Sequence, residues 1–292
     1  MKFGLFPNMT KRNIVDVLRE AVAYGRDCGA ELFLPDDIEP DLGARIGLSA
    51  SQTLSREDVF RRIDVALSFG GDGTIIHLSR RITSYGKPVC GINLGELGFL
   101  NQIEYEDMKD GIRQLAEGRY EIERRSSLQA YIASGESRTL LEPVMNELLV
   151  TSPLPGKMAR VNLSIDSGHT DMYPADGLLV ATATGATGYN MSAGGPLLAP
   201  GNHSIVVTPV APHLLQHISF VLNPTSRIEL GMPERQRTLH VSVDGTFDYT
   251  LHYGETIRIE SAPIHSLYVR FPQNPFFSTL RKKLNAAGQA RE

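Results

Sequence analysis

The segment from residue 65 to residue 82 combines a glycine-rich turn with one acidic side chain. The apolar run at 65–69 predicts a buried strand, and helical spacing begins at Ile75. Between them lies the sequence Gly70-Gly71-Asp72-Gly73-Thr74. Glycine lets a ligand approach the backbone closely, and the first turn of a helix offers free N–H groups to an anion. The turn therefore predicts a phosphate site at Gly70, Gly71 and Gly73, with Thr74 as a candidate helix cap.

Asp72 adds a chemical group that an anion site alone would not need. A carboxylate that faced a phosphate directly would repel it, so we expect Asp72 to lie beside the phosphates. There it can accept the proton of a hydroxyl group that attacks phosphorus, which is general-base catalysis. The alternative is that Asp72 is an ordinary turn residue. The chain lacks the G-x-x-x-x-G-K-[ST] motif and a G-x-G-x-x-G motif that opens a helix, which disfavours a P-loop enzyme and a dinucleotide-dependent dehydrogenase.

A second polar cluster, from Asp176 to Pro196, includes an apolar run and then many threonine, glycine and alanine residues. Small residues let a ligand lie against the backbone, and hydroxyl groups form hydrogen bonds without charge. Tyr189 offers a flat ring for a base. The cluster favours a nucleoside or dinucleotide site, with a flexible loop of turn-forming residues as the alternative. Asn146 and Glu147, at the head of a predicted strand, could hold a ribose or a base edge, or form an ordinary surface corner.

The elements that would position these residues fall into two halves. Through about residue 120, strand patterns alternate with helical patterns, which predicts a parallel sheet with helices on its faces. The segment 41–55 is polar and irregular and is predicted to be a mobile loop. After residue 121, period-two alternation predominates, and Asp244-Gly245 between two such runs predicts a β-hairpin. We therefore expect an α/β domain at 1–122, a mainly β domain at 123–270, and a tail at 271–292 that forms a helix and packs back on the first domain.

Composition excludes several classes of protein. Of 292 residues, 41% are apolar and 21% charged, which is typical of a globular chain and argues against disorder. The net charge of −4 disfavours a nucleic-acid-binding protein. No apolar run is long enough for a membrane helix, and the start of the chain lacks a signal-peptide pattern. Cys28 and Cys90 form neither a disulfide framework nor a metal cluster. We expect a cytoplasmic protein with reduced thiols and without nucleic-acid or membrane partners.

Taken in order, these motifs resemble those of the bacterial ATP-NAD kinases. The resemblance covers roughly residues 60–270. The glycine turn is shared with lipid kinases and phosphofructokinases, whereas the threonine-rich cluster together with Asn146-Glu147 is more specific. The matching motifs are Gly70–Thr74, Gly91–Leu100, Asn146-Glu147, Asp176-Gly177, Thr182–Tyr189 and Ser192–Pro196.

The resemblance implies an enzyme that transfers phosphate from ATP to the 2′-hydroxyl of the adenosine ribose of NAD, giving NADP. It implies an α/β N-terminal domain, a β-sandwich-like C-terminal domain, a site between them, Mg²⁺ that enters with ATP, and a homo-oligomer, either a dimer or a tetramer. Asp72 matches the catalytic aspartate. The residues that match or lie near the family's NAD contacts are Asp72, Gly73, His77, Asn146, Glu147, Lys157, Asp176, Thr184, Thr187, Gly188, Tyr189, Ser192 and Ala211.

The chain departs from the family's pattern at four positions. Ala183, Ala186 and Gly188 stand where the family commonly has Pro, Ser and Ala, and Thr246 stands where it often has Gln. None of these differences affects Asp72. Two other functions stay open at this point: a lipid-type kinase that shares the glycine turn, which would need a pocket for an acyl chain, and a non-catalytic NAD(P)-binding sensor. His77 could equally be an exposed helix residue and Lys157 a solvated lysine.

Overall fold

The computed structural model describes residues 1–95, 98–166, 168, 170–214, 218–273 and 276–289. In chain order the strands are β1 Lys2–Pro7, β2 Glu31–Pro35, β3 Thr53–Leu54, β4 Val65–Gly70, β5 Val89–Asn93, β6 Asn101–Glu104, β7 Glu121–Arg125, β8 Leu128–Ser134, β9 Ser137–Leu140, β10 Glu147–Thr151, β11 Ala159–Ile165, β12 Thr170–Ala175, β13 Gly177–Ala181, β14 Ile205–Val210, β15 Phe220–Leu222, β16 Ile228–Gly231, β17 Thr238–Val243, β18 Phe247–His252, β19 Thr256–Ser261 and β20 Ser266–Arg270. The α-helices are α1 Ile14–Asp27, α2 Leu42–Arg45, α3 Arg56–Arg62, α4 Asp72–Ile82, α5 Met108–Ala116, α6 Tyr189–Ser192 and α7 Phe276–Gln289. Short 3₁₀ turns occupy Ala50–Gln52, Thr83–Tyr85, Tyr105–Asp107 and Gly185–Thr187.

The chain forms two units, which are described separately. The first unit contains Met1–Arg124 and Ser266–Glu292, and the second contains Arg125–His265. Residues 266–270 are predicted from the sequence to lie in the second domain, but the strand they form, β20, belongs to the sheet of the first unit. A strand pattern shows that a segment is extended and half-buried, and it does not show which sheet the segment joins. Of the tail, residues 274, 275 and 290–292 lie outside the described residues.

The first unit is an α/β structure built on one sheet with the strand order β3-β2-β1-β4-β5-β20-β7, and β6 pairs with β5. The pairs that join β1 to β2, β1 to β4 and β4 to β5 are parallel, as the alternation of strand and helix predicts. Its strands share a buried apolar core with α1, α2 and α5. Because the carboxyl ends of parallel strands meet at one edge, Gly70 at the end of β4 lies opposite Asn93 at the end of β5.

Two local predictions in this unit are wrong. The segment 41–55 contains α2, a 3₁₀ turn and β3, because Leu42, Ile46 and Leu48 are buried in the core and anchor it. Three apolar residues separated by polar ones did not produce a clear period in the sequence. The helix after the glycine turn begins at Asp72, so Thr74 lies within its first turn and is not the cap.

The second unit is a β-sandwich. One antiparallel sheet has the order β15-β14-β13-β10-β17-β18, and the other has the order β12-β11-β16-β19-β8-β9. Alternate residues of both sheets form one apolar core, which confirms the predicted sandwich. The hairpin of β17 and β18 is also confirmed, with positive φ angles of 50° at Asp244 and 63° at Gly245. Among the described residues, no helix is long and apolar enough to cross a membrane.

Candidate active site

The carboxylate of Asp72, the first residue of α4, is held by residues that precede and begin β6. Its Oδ2 accepts the backbone N–H of Phe99 at 2.8 Å. Its Oδ1 accepts the backbone N–H of Leu100 and the side-chain amide of Asn101, both at 3.1 Å. A carboxylate has about four acceptor positions, two on each oxygen. Oδ2 accepts one of these bonds and therefore keeps a lone pair with which it can accept a proton.

Two glycines allow this close contact. A Cβ atom at Gly98 would lie 2.1 Å from Asp72 Oδ1, and a Cβ atom at Gly91 would lie 2.0 Å from Asn101 Oδ1. Asn101 is 8% exposed and fills the space between β5 and the carboxylate. Both glycines belong to a motif that is visible in the sequence, whereas the role of Asn101 is not visible there, since its partner is 29 residues away. Glu96 and Leu97 of the same motif lie outside the described residues.

The three glycines of the turn have different surroundings. A Cβ atom at Gly70 would lie 2.3 Å from Thr74 Oγ1, so the packing of the protein itself requires glycine there. A Cβ atom at Gly71 or Gly73 would meet no protein atom within 4 Å, and neither residue has a positive φ angle. Neither packing nor backbone conformation therefore requires glycine at 71 or 73. These two residues leave the backbone at the N-terminus of α4 accessible, as a phosphate site needs.

In the second unit, Asp244 holds the backbone at Asn146 and Glu147. Its carboxylate accepts the backbone N–H groups of Met145 at 2.9 Å, Asn146 at 2.7 Å and Glu147 at 3.0 Å. From the sequence, Asp244 is predicted only to form the hairpin turn. A charged side chain that accepts several backbone N–H groups fixes a corner strongly. The positions of Asn146 and Glu147 therefore depend on a hairpin almost 100 residues further along the chain.

Asn146 and Glu147 carry polar atoms that lack partners in the protein. Asn146 Oδ1 and Glu147 Oε2 are buried and have no hydrogen bond among the described residues. A Cβ atom at Gly188 would lie 3.4 Å from Glu147 Oε2 and 3.7 Å from Asn146 Nδ2. Burial, together with the nearby negative charge of Asp244, raises the pKa of Glu147 from 4.5 to about 7. Buried polar atoms are normally hydrogen-bonded, so these two mark a place where a polar ligand would bind.

The threonine-rich segment is tied to the same corner. Thr182 Oγ1 donates to the carbonyl oxygen of Met145 at 2.7 Å and accepts the N–H of Gly185 at 3.0 Å. A Cβ atom at Gly185 would lie 2.1 Å from the carbonyl oxygen of Asn146. The hydroxyl of Thr187 donates to the carbonyl oxygen of Thr184 at 3.1 Å, within the segment. The structure therefore brings Thr184, Thr187 and Gly188 close to the Asn146 corner.

Asn190 positions the end of this segment, a role that the sequence analysis missed. The side chain is fully buried, and its Oδ1 accepts the hydroxyl of Thr208 at 2.7 Å. Its Nδ2 donates to the carbonyl oxygen of Pro196 at 3.0 Å. These bonds hold the short helix α6, on which Tyr189 is 43% exposed and Ser192 is exposed. An asparagine among small polar residues looks like a ligand contact in the sequence, and only its burial shows otherwise.

The remaining predicted residues of the second unit lie elsewhere. Glu147 pairs with Ala181 at one end of β13, whereas Asp176 precedes the other end and donates its N–H to the carbonyl oxygen of Val210, next to Ala211. Asp176 is five residues from Ala181, which along an extended strand is a separation of about 17 Å. Lys157 is exposed in the loop that follows β10. Asp176, Ala211 and Lys157 therefore do not join the Asn146 corner.

His77 is exposed on α4 in the first unit. No group of three or more His, Cys, Asp or Glu side chains that could hold a metal ion occurs among the described residues. The polyphosphate of a nucleotide can itself bind Mg²⁺, so the site fits a metal that arrives with its substrate.

The sequence matches two family models over most of its length. The model described as the ATP-NAD kinase N-terminal domain matches residues 14–120, and the ATP-NAD kinase C-terminal domain matches residues 145–271. The chain is 31% identical over 283 residues to a protein named NAD kinase from Caldanaerobacter subterraneus subsp. tengcongensis, covering 97% of this chain and 98% of the relative. It is 32% identical to an NAD kinase from Chlorobaculum tepidum, covering 97% and 96%.

Two solved structures share the fold. Yeast NADH kinase, crystallised with NADH, has a TM-score of 0.80 at 22% identity and covers 98% of this chain and 87% of its own. An NAD kinase from Archaeoglobus fulgidus, in complex with ATP, has a TM-score of 0.71 at 25% identity and covers 96% of this chain and 99% of its own.

Proposed function

Since this chain belongs to the ATP-NAD kinase family and phosphorylates NAD with ATP, we propose that Asp72 is the general base of the reaction. The 2′-hydroxyl oxygen of the adenosine ribose forms a bond to the γ-phosphorus of ATP. The bond from that phosphorus to the β,γ-bridging oxygen breaks, the hydroxyl proton passes to Asp72, and NADP and ADP leave.

The observation that carries this proposal is the fixed orientation of the Asp72 carboxylate. Three hydrogen bonds, from Phe99, Leu100 and Asn101, hold it in one position. A base that is already oriented avoids the entropic cost of finding its geometry in the transition state. The lone pair that remains on Oδ2 is the proposed acceptor of the proton.

The proposed phosphate site consists of Gly70, Gly71 and Gly73. Support comes from the accessible backbone at Gly71 and Gly73, where a Cβ atom would meet no protein atom within 4 Å. N–H groups in the first turn of α4 would donate to phosphate oxygens, and the positive end of the helix dipole adds to the attraction. Mg²⁺ bound to the triphosphate would supply charge neutralisation.

The adenosine part of NAD is proposed to bind at Asn146 and Glu147. The unpartnered Asn146 Oδ1 and Glu147 Oε2 support this assignment, because ribose hydroxyl groups or a base amine would supply the missing donors. Exposed Tyr189 offers a ring on which a base can stack. We keep the other predicted NAD contacts as proposals: Gly73, His77, Lys157, Asp176, Thr184, Thr187, Gly188, Ser192 and Ala211.

We also propose that the enzyme is cytoplasmic and works as a homo-oligomer, a dimer or a tetramer. Light scattering of the purified chain measures its mass in solution. A monomeric mass at working concentration would contradict the proposed oligomer.

NADP formation tests the proposed function. Purified protein is incubated with NAD and Mg-ATP, and NADP is measured with an enzyme specific for it. Omission of ATP and replacement of NAD by a diacylglycerol are the controls. NADP is expected only with both substrates. Binding of NAD without NADP formation would identify a sensor instead, and phosphorylation of the lipid would identify a lipid-type kinase.

A further inference from the structure

A groove of about 420 Å³ in the second unit, at the end of β10, is lined by several positively charged side chains and by no carboxylate. We call it the basic groove, because its lining includes Lys157, Arg160, Arg235 and Arg237 together with the apolar side chains of Leu154 and Met158. We infer that the basic groove binds a small molecule that carries two or more phosphate groups. The inference deepens the proposed NAD contact at Lys157 and rests on the proposed function only for that residue.

The cations of the basic groove lack acidic partners. No carboxylate is among the lining residues, and Lys157, Arg160 and Arg235 form no ion pair within the described part of the chain. The guanidinium of Arg237 lies over the ring of Tyr253, 5.6 Å from its centroid, which leaves its charge uncompensated. Four neighbouring cations in a chain of net charge −4 produce a local positive potential that attracts anions.

A second groove in the same unit shows that a large groove lined by arginines does not always leave their charges without acidic partners. It has a volume of about 590 Å³ and is also lined by arginines. There Arg258 pairs with Glu229 at 2.8 Å, and Arg227 lies 4.0 Å from Glu260. Two of the three arginines of that groove therefore lie beside carboxylates, and the third, Arg138, lies over the ring of Tyr131. In the basic groove, by contrast, no cation has a carboxylate partner within the described part of the chain.

The lining chemistry indicates the class of ligand. Arginine binds phosphate through paired N–H donors, and several such residues favour more than one phosphate. Leu154 is 61% exposed at the groove, and such apolar surface suits the organic part of a nucleotide. A volume of about 420 Å³ lies within the range of small-molecule sites. The shared chemistry is therefore a polyphosphate group, free or attached to a nucleoside.

Calorimetric titration of the full-length protein tests the inference. Tripolyphosphate, ATP and NADP are the probes, and the variants are R160Q/R235Q and, as a control with the same change of charge in the other groove, R138Q/R227Q. In R160Q/R235Q, one equivalent of probe per chain is expected to bind at least about tenfold more weakly, with a weaker dependence on salt. R138Q/R227Q should bind as the wild type does. Tight binding of tripolyphosphate would identify bare polyphosphate as sufficient, and tight binding of the nucleotides alone would show that the organic part contributes.

The inference fails if R160Q/R235Q keeps the number and affinity of sites found in the wild type. It also fails if this variant changes the oligomeric mass and not the affinity for anions, since the arginines would then contact acidic residues of a second copy. The variant D72N separates this result from the proposed chemistry. Loss of turnover in D72N with unchanged tripolyphosphate binding supports both proposals, whereas normal turnover in D72N contradicts only the general base.

Discussion

The backbone N–H of Phe99 donates to Asp72 Oδ2 at 2.8 Å, while the ring of Phe99 lies under the ammonium group of Lys283 on α7, 4.2 Å from the ring centroid. Phe276, also on α7, packs against the same ring with a centroid distance of 6.3 Å. The C-terminal helix therefore contacts the residue that orients the proposed base. We therefore expect the position of Asp72 to depend on a helix about 200 residues away in the chain.

Replacing Asp72 by Asn should lower kcat by roughly 10²–10⁴-fold, because the amide cannot accept the hydroxyl proton. NAD affinity should change much less, since the proposed NAD contacts lie mainly on other residues. Steady-state rates and equilibrium binding of NAD measure the two effects. The control is N101A, which loses one hydrogen bond to Asp72 and keeps the carboxylate. Near-normal turnover in D72N would reject the general-base role.

Removing the contacts of α7 with Phe99 should reduce kcat. In F276A/K283M, an aromatic pair and a cation–π contact are lost, together about 1–2 kcal/mol, or roughly fivefold to thirtyfold in kcat if the whole effect reaches Asp72. The KM values for NAD and ATP should change less than kcat, because only the base is displaced. R281A/K282M is the matched control on the same helix, because both of these side chains are exposed. The positioning role of Phe276 and Lys283 is contradicted if both double variants have the same kcat. It is also contradicted if K283R, which keeps the positive charge, has a kcat as low as that of K283M.

Replacing Gly73 by Ala should weaken ATP binding without lowering the stability of the protein. A Cβ atom at this position meets no protein atom within 4 Å, and alanine favours a helix over glycine by up to about 1 kcal/mol. G73A should therefore unfold at the same or a higher temperature than the wild type, while its KM for ATP rises about tenfold or more. G70A should instead lose stability through its clash with Thr74. An unchanged KM in G73A would argue against phosphate at this turn.

The ionisation of Glu147 should make the free energy of unfolding decrease as the pH rises. Its pKa is raised from 4.5 to about 7, so the folded protein holds this proton more tightly than the unfolded chain does. The contribution is fully present below about pH 4.5 and is lost as the pH rises through about 7, a change on the order of 3 kcal/mol. E147Q cannot ionise, so its free energy of unfolding relative to the wild type should increase over this range.

Denaturant unfolding of the wild type and E147Q at several pH values measures that difference. E142Q is a suitable control, because Glu142 is exposed. A constant difference between the wild type and E147Q from pH 4.5 to pH 8 would contradict the raised pKa. Saturating NAD should reduce the difference if the ribose donates to the carboxylate.

The sequence patterns were sufficient to predict the α/β unit, a mainly β second unit, the hairpin at Asp244-Gly245 and the glycine turn that contains Asp72, whereas the sandwich form of the second unit was implied by the resemblance to the ATP-NAD kinases. These features depend on the spacing of apolar residues and on the residues that form turns, both of which can be recognised within a short stretch of the sequence. The prediction for segment 41–55 was wrong because the structure of this segment is not determined by its local pattern. Its structure depends on three buried apolar anchors, and the pattern of its neighbouring residues does not reveal them.

The tertiary structure alone decided which residues hold the chemical groups in place. Asn101 holds Asp72 from 29 positions away, Asp244 holds the backbone of Asn146 from 98 positions away, and Asn190 is anchored by Thr208. The same is true of the basic groove, whose cations come from two separated stretches of chain. Hydrogen bonds and local potentials depend on distance in space, and a single sequence records only distance along the chain.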